Sequence, residues 1–326
     1  MKATAIAPSN IAFIKYWGKT DEALRLPANG SISMNLSELQ TTTTVKFNKD
    51  LNEDTVFIDG QKTEGLKKNR VTQHLDRIRK MAKINLGAKI VSQNNFPMGG
   101  GLSSSASAFA ALTLAGATAA GLDLTEKELS ILARQASGSA CRSVPDGFVE
   151  WLGGKTNEDS YAVSLYLPDY WEICDVVVIV NTSEKSVITT EAQKLAFSSP
   201  FFRERLNRIN DKISLLKKYL REKDFPKFGT LVENEAMEMH AIIMTSKPSY
   251  LYWLPETVRL MLLVRKWRKD GLAVYFTLNT GHDLHLLCLQ KEVEKVVRLL
   301  KATGKVKNVI INRPSVGVRL VERHLL

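Results

Sequence analysis

One stretch constrains this chain more than any other: Pro97-Met98-Gly99-Gly100-Gly101-Leu102-Ser103-Ser104-Ser105-Ala106-Ser107, leading into an alanine-rich run that stops at Gly121. Consecutive glycines let the backbone turn tightly and approach a ligand. Their N–H groups, with the first turn of a following helix, make an anion site. Ser103, Ser104 and Ser105 add hydroxyls for a phosphate or a metal-bound water. An isolated stretch of this kind is equally well a glycine-rich turn with a serine cap. It is not a Walker A loop, because no Gly-Lys-Ser/Thr follows, and its spacing is not that of a dinucleotide-binding turn.

Around it the chain reads as two α+β halves. Residues 41–47 (TTTTVKF) and 55–58 are strands in a first half made mostly of short strands, and 67–83 carries apolar residues at helical spacing. Residues 104–120 form a small-residue helix. Thr125 opens another, with Glu128 three residues on as a capping box. The run DVVVIV at 175–180 is a buried strand. Helices are expected at 201–221, 227–243, 255–269 and 291–303, and strands at 272–278, 284–289 and 308–312. A division near residue 185, good to about ten residues, gives lobes of 1–185 and 186–326.

The net charge of +11 favours anionic partners, but the basic residues are dispersed. Their densest stretches, 203–223 and 259–269, read as solvated helix faces, so nucleic acid is not an expected partner. No apolar run reaches the ~20 residues of a membrane span, and no signal-peptide core opens the chain. A cytoplasmic protein is expected. Cys141, Cys174 and Cys288 lack metal-ligand spacing and read as buried thiols.

Two further segments carry candidate chemistry. In Asn10-Ile11-Ala12-Phe13-Ile14-Lys15-Tyr16-Trp17-Gly18-Lys19, two lysines flank a Tyr-Trp pair, a surface suited to a small anion or simply a strand end with solvated lysines. In Ser137-Gly138-Ser139-Ala140-Cys141-Arg142-Ser143, small residues bring backbone and hydroxyls close to a ligand, and Arg142 offers a planar fork for a carboxylate. The alternative is a helix-packing seam with a surface arginine.

Taken together, the three segments resemble the diphosphomevalonate decarboxylases of the galactokinase–homoserine kinase–mevalonate kinase–phosphomevalonate kinase (GHMP) superfamily. Asn10 to Lys19 match the family pattern N-I-A-x-x-K-Y-W-G-K. Pro97 to Ser107 are similar to its P-T-A-A-G-L-A-S-S-A-S loop. Ser137 to Ser143, continued by Gly147 to Trp151, resemble its S-G-S-A-C-R-S segment. Similarity in order and spacing extends over nearly the whole chain.

The resemblance implies a two-lobed α+β GHMP kinase fold, with an N-terminal lobe of the ribosomal protein S5 domain 2 type and a ferredoxin-like C-terminal lobe, forming a homodimer. It implies ATP and Mg²⁺ as cofactors and a phosphorylated mevalonate as substrate. The substrate's C3 hydroxyl would be phosphorylated, and loss of that phosphate with CO₂ would give an isopentenyl product. Arg142 would hold the substrate carboxylate. Tyr16, Trp17, Lys19, Ser137, Ser139 and Lys185 would position the 5-phosphate end, and Lys15 would lie near the reacting centre. Asn95, Gly100, Gly101, Leu102, Ser103, Ser104 and Ser105 would hold the nucleotide, with Ser105 toward the metal. The same groups serve a mono- or a diphosphate.

The sequence departs from the family at one place that matters. The family's aspartate lies in a segment like T-F-D-A-G-P-N, and this chain reads Thr277-Leu278-Asn279-Thr280-Gly281-His282-Asp283. Asn279 stands where the carboxylate belongs, and an amide cannot take a proton from a hydroxyl. Asp283 replaces the family asparagine, and Pro145-Asp146 is a second change. The expectation is that Asp146 or Asp283 supplies the carboxylate. The alternatives are a shifted substrate, weakened activity, a kinase that stops after phosphorylation, or a non-catalytic metabolite-binding relative. None of His240, His282 and His285 is given a catalytic role.

Overall fold

The computed structural model describes residues 1–97, 100–181, 189–304, 306 and 308–326. In chain order the first half contains β1 (Lys2–Ile14), β2 (Lys19–Asp21), β3 (Leu26–Pro27), β4 (Ser31–Asn48), β5 (Thr55–Ile58), β6 (Gln61–Lys62), α1 (Gly65–Ala82), β7 (Gly87–Asn94), α2 (Ser104–Ala119) and α3 (Glu126–Ala136). A 3₁₀ turn at Gly138–Ser143 then leads to β8 (Phe148–Trp151), β9 (Ala162–Tyr166) and β10 (Ile173–Ile179). The remainder is α4 (Thr189–Lys194), α5 (Phe202–Glu222), α6 (Phe225–Thr245), α7 (Pro255–Lys269), β11 (Val274–Thr277), β12 (Leu284–Leu289), α8 (Val293–Ala302), β13 (Asn308–Asn312) and β14 (Arg319–Leu320).

Among the described residues these strands form an eight-stranded sheet, a four-stranded sheet and the small β2–β3 pair. The large sheet runs β14-β1-β4-β7-β5-β6, with β8 on the far part of β4 and β9 beyond it; the second runs β11-β12-β10-β13. All pairings are antiparallel except β5 with β7. β10 precedes the expected division near residue 185, yet it pairs on both sides within the second sheet. Its seven residues are all buried, which requires cover on both faces.

The first half is not a set of short strands. β1 has 13 residues and β4 has 18, because the chain passes through bulges instead of turning. The register shifts at Pro8/Asn10 and again at Ala12/Ile14. A bulge interrupts the inside–outside alternation from which a strand is read, so one long strand looks like fragments.

The three largest apolar cores among the described residues follow. Helices α1, α2 and α3 cover one face of the large sheet through Leu75, Ile78, Phe109, Leu112 and Leu132. The opposite face packs against the second sheet and α5–α6, with Phe13 edge-on to Phe228 at 4.9 Å and Met34, Phe148, Val177 and Leu287 around them. Helices α7 and α8 close the outer face of the second sheet through Leu260, Val264, Val296 and Leu300. The middle core fixes one sheet against the other, and each buried large apolar side chain there contributes about 2 kcal/mol.

Helix α2 packs closely because most of its buried positions are small, with Gly116 directly under Ile78 and Leu75 of α1. Cys141, Cys174 and Cys288 are buried free thiols. Among the described residues no helix is long and apolar enough to cross a membrane.

The capping box at α3 is formed as the sequence implies. Thr125 Oγ1 accepts from the Glu128 N–H, and Glu128 Oε2 accepts from the Thr125 N–H at 2.8 Å. Both residues are exposed and remote from the middle core. Thr125→Ala is expected to lower stability by about 1 kcal/mol, read as a shift in the urea midpoint, with any catalytic rate unchanged.

Candidate active site

The end of β1, residues 101–105, the 3₁₀ turn at Gly138–Ser143, helix α4 and the turn after β11 converge on a cleft of about 320 Å³. Its walls include Lys15, Tyr16, Trp17, Gly101, Leu102, Ser103, Ser104, Ser105, Ser137, Ser139, Arg142 and Asn279. Three segments read separately in the sequence therefore meet in one place, and position 279 meets them from the second sheet.

The loop is held open by backbone geometry. Gly101 has φ +106° and Ser103 φ 56°, so the chain turns through left-handed conformations before α2 begins at Ser104. A Cβ on Gly100 would strike the Asp283 carboxylate, and one on Gly281 would strike the Gly100 carbonyl. Only glycine lets these two turns touch. The 16-residue helix α2 then presents its N-terminus to the cleft, with the three serine hydroxyls around it.

Arg142 is buried and held by neutral partners: Nη1 donates to Ser31 Oγ at 2.7 Å and Nη2 to Asn10 Oδ1 at 3.1 Å. Asn10 is fixed in turn, donating to Ser143 Oγ at 2.8 Å and to the Ser139 carbonyl at 3.2 Å. Burial lowers the Arg142 pKa below the usual guanidinium value. Arg142 Nε, Tyr16 Oη and Trp17 Nε1 are buried with no hydrogen-bond partner among the described residues. Unpaired buried donors are costly in a native structure, and three around one cleft suit an anionic ligand.

Lys15 is 1 % exposed. Its Nζ donates to the Ala12 carbonyl at 2.7 Å and to Asn279 Oδ1 at 3.4 Å. The Asn279 amide is oriented by its other end, where Nδ2 donates to Ser103 Oγ at 2.9 Å and to the Gly101 carbonyl at 3.4 Å. His240 Nε2 donates to the Asn279 carbonyl at 3.0 Å. Burial holds His240 neutral, with its pKa lowered to about 3. Asn279 thus bridges the lysine and the phosphate-loop serine across the two lobes.

The Lys15 backbone is clamped from below. Its N–H donates to Glu235 Oε2 at 3.2 Å, and Arg205 Nη2 donates to its carbonyl at 3.0 Å. Arg205 and Glu235 are fully buried and paired at 2.9 Å, with Lys212 and Glu238 completing the network. The basic stretch 203–223 is therefore not a solvated face throughout: Arg205 points inward.

Both expected replacement carboxylates are elsewhere. Asp146 is outside the cleft lining, and its Oδ1 accepts from the Gly317 N–H at 2.6 Å. Asp283 is buried behind the loop, and its Oδ1 accepts from the Val180 N–H at 2.8 Å. Burial pushes its carboxyl above the usual range. Each carboxylate is spent on the backbone N–H of a segment distant in sequence. Asn95 also lies outside the lining, with Oδ1 taken by the Gln40 N–H at 2.8 Å. Lys19 is outside the lining as well, buried and paired with Glu22 at 2.7 Å. Lys185 is outside the described residues.

Arg25, Lys67 and Arg70 also line the cleft, with Thr189, Thr190, Gln193 and Thr280. Lys67 and Arg70 are three apart on α1 and signal a common face, but nothing local tells a cleft-facing cation from a solvated one. Among the described lining residues there is no Asp or Glu, and no three His, Cys, Asp or Glu side chains could together hold a metal. A bound Mg²⁺ fits this set only as a phosphate-borne ion touched by Ser105, since Mg²⁺ keeps most of its ligands from water and phosphates.

Two lobes, a glycine–serine anion loop at a helix start and a buried arginine across a cationic cleft define an ATP-using enzyme of the GHMP kinase fold. Comparison with known proteins gives the family. Residues 7–162 match the diphosphomevalonate decarboxylase-like N-terminal domain, and 175–316 the mevalonate 5-diphosphate decarboxylase C-terminal domain. The chain is 34% identical to diphosphomevalonate decarboxylase of Candida albicans, covering 91% of this chain and 87% of that one. It is 33% identical to phosphomevalonate decarboxylase of Haloferax volcanii, covering 93% of each. The Enterococcus faecalis enzyme, solved with mevalonate diphosphate, AMPPCP and magnesium, superposes with TM-score 0.94 at 33% identity over 99% of each chain. The chain belongs to the diphosphomevalonate decarboxylase family.

Burial lowers the Lys15 pKa to about 7, Glu235 opposing and Arg142 adding to the shift. An unfolded lysine titrates near 10.4. Between these values the unfolded chain binds more protons, so this group's cost to stability is full below about pH 7 and fades as pH rises toward 10. Lys15→Met is expected to stabilise the fold by a few kcal/mol at pH 6 and by little near pH 10, measured by urea unfolding at both, while turnover is lost.

Proposed function

We propose that this protein is an ATP- and Mg²⁺-dependent decarboxylase that converts mevalonate 5-diphosphate to isopentenyl diphosphate, in isoprenoid biosynthesis, by phosphorylating the C3 hydroxyl. The observation that carries the reading is the arrangement of the cleft. The anion loop and the start of α2 lie on one wall, Arg142 on another, and Lys15 with Asn279 between them. In this reading ATP phosphates rest on Gly100 to Ser105, and the substrate carboxylate meets the free Nε edge of Arg142. Tyr16, Trp17, Lys19, Ser137, Ser139 and Lys185 face the 5-phosphate end. Bound Mg²⁺ would offset phosphate charge beside Ser105. Catalysis is then chiefly positioning and electrostatic stabilisation of spreading phosphoryl charge.

A monophosphate substrate is the second reading, favoured by the near-equal likeness to the Haloferax volcanii phosphomevalonate decarboxylase. A kinase that stops at the C3 phosphate, or a non-catalytic metabolite binder, follows if the amide at Asn279 has removed activity. The division into lobes belongs to the same reading. The sheet membership of β10 supports a boundary just before Ile173, where the sequence places it near 185. A cytoplasmic location rests on the sequence reading, and a homodimer on the family resemblance.

The test is to supply ATP and Mg²⁺ with mevalonate, its 5-phosphate or its 5-diphosphate, and to follow ADP and CO₂ together. Equimolar ADP and CO₂ with the diphosphate is expected. Preference for the monophosphate selects the second reading, ADP without CO₂ a kinase, and neither product a binding protein.

A further inference from the structure

The cleft poses a chemical problem. Phosphorylating a tertiary hydroxyl leaves a proton to dispose of, and among the described residues no carboxylate lines the cavity. Asp146 and Asp283 are committed to backbone N–H groups outside it. The histidine nearest the reacting residues, His240, donates its Nε2 proton to the Asn279 carbonyl and cannot accept through that nitrogen. Serine hydroxyls and arginines are not bases at neutral pH.

Of the lining groups left, Lys67 is exposed, and an exposed lysine is an ammonium at neutral pH. Burial pushes the Tyr16 phenol further from ionisation, so Lys15 is the candidate base among the described residues. Both acceptors of its Nζ are neutral, the Ala12 carbonyl and the Asn279 amide oxygen. The amide cannot turn to change this, because Nδ2 is held by Ser103 Oγ and the Gly101 carbonyl. The charged and titratable groups facing the lysine from the packed elements are Arg142 in the 3₁₀ turn, Arg205 on α5, Glu235 and His240 on α6, and Asp175 on β10. Glu235 is neutralised by Arg205 and Lys212 and meets only the Lys15 backbone N–H. Asp175 is bonded to His285 at 2.7 Å. A buried ammonium without a carboxylate in contact is disfavoured, so the free amine is the accessible form.

We propose that Lys15, as a free amine, accepts the C3 hydroxyl proton, in the role that a carboxylate at position 279 would otherwise fill. The proposal rests on the decarboxylase reading above and assigns its general base. The Nζ lone pair takes the hydroxyl proton as the C3 oxygen bonds to the γ-phosphorus of ATP. The bond from that phosphorus to the β-phosphate oxygen breaks, its electron pair leaving with ADP. The C1–C2 pair then forms the C2=C3 double bond, CO₂ departs, and the C3–O bond breaks with its pair on phosphate. The new ammonium stays beside that phosphate, offsets its charge, and returns the proton to it or to water. Asn279 is then a positioning residue: its Oδ1 directs Nζ without holding the proton on it.

The test is single-turnover ADP formation against pH with mevalonate 5-diphosphate and ATP. The native enzyme is expected to show an ascending limb with an apparent pKa near 7, in line with the lowered lysine. Lys15→Arg keeps the charge but cannot accept a proton, and is expected to lose at least ~100-fold at every pH. Asn279→Asp provides a carboxylate and is expected to move the limb below about pH 5. Lys15→Arg with Asn279→Asp is expected to recover at least ~10-fold over Lys15→Arg. A purely electrostatic lysine would leave Lys15→Arg within ~3-fold of native and the profile flat from about pH 6 to about pH 8, and either result overturns the proposal while leaving the decarboxylase reading intact. No ADP at any pH overturns both. Titration of ¹⁵N-lysine in the native protein by NMR needs no variant to fold, and a Lys15 ammonium that persists to about pH 9 overturns the assignment by itself.

Discussion

The site depends on a buried ion pair that never enters it. Arg205 on α5 and Glu235 on α6 bracket the Lys15 backbone, one bonding its carbonyl and the other its N–H. The end of β1 is thereby fixed at a point where the strand has run out of ladder partners. A buried pair of this kind contributes little to net stability, because desolvation consumes most of the attraction. Its effect is positional. Breaking it would leave an uncompensated charge beneath the lysine, and the strand end could no longer hold a single conformation.

The same logic explains how the two sheets share one cleft. The apolar core around Phe13 and Phe228 joins them without direction, since apolar contact has none. Direction comes from polar ties that cross between lobes: Asn279 to Ser103 and Lys15, and the Asp283 N–H to the Gly100 carbonyl. Asp283 shows the division of labour. Its carboxylate braces the turn against the anion loop, so the loop keeps its left-handed residues without using groups that face the ligand.

Much of this was legible in the sequence, for reasons that differ by element. Helices α5 to α8 carry full amphipathic periods, and the α3 cap declares itself through Thr125 and Glu128. The anion loop reads through its glycines, and the three site segments through family likeness. What could not be read is what depends on partners distant in sequence. β1 and β4 look like short strands because bulges break their alternation. Arg205 sits in a basic run indistinguishable from a solvated face until Glu235, thirty residues on, is placed beside it. Asp146 and Asp283 attracted a catalytic reading because they flank the site in sequence, whereas the backbone donors that consume them, Gly317 and Val180, are far along the chain.

The Arg205–Glu235 pair acts as one unit to hold Lys15. A double-mutant cycle of Arg205→Met and Glu235→Leu, followed by urea unfolding and by single-turnover ADP formation, tests this directly. Each single variant should lose about 3–5 kcal/mol of stability and most of its rate. The double variant should be no less stable than the worse single one, a coupling of at least ~2 kcal/mol, with its rate still low. Additive stability losses, or a native rate in either single variant, would contradict the claim that this pair sets the position of the lysine.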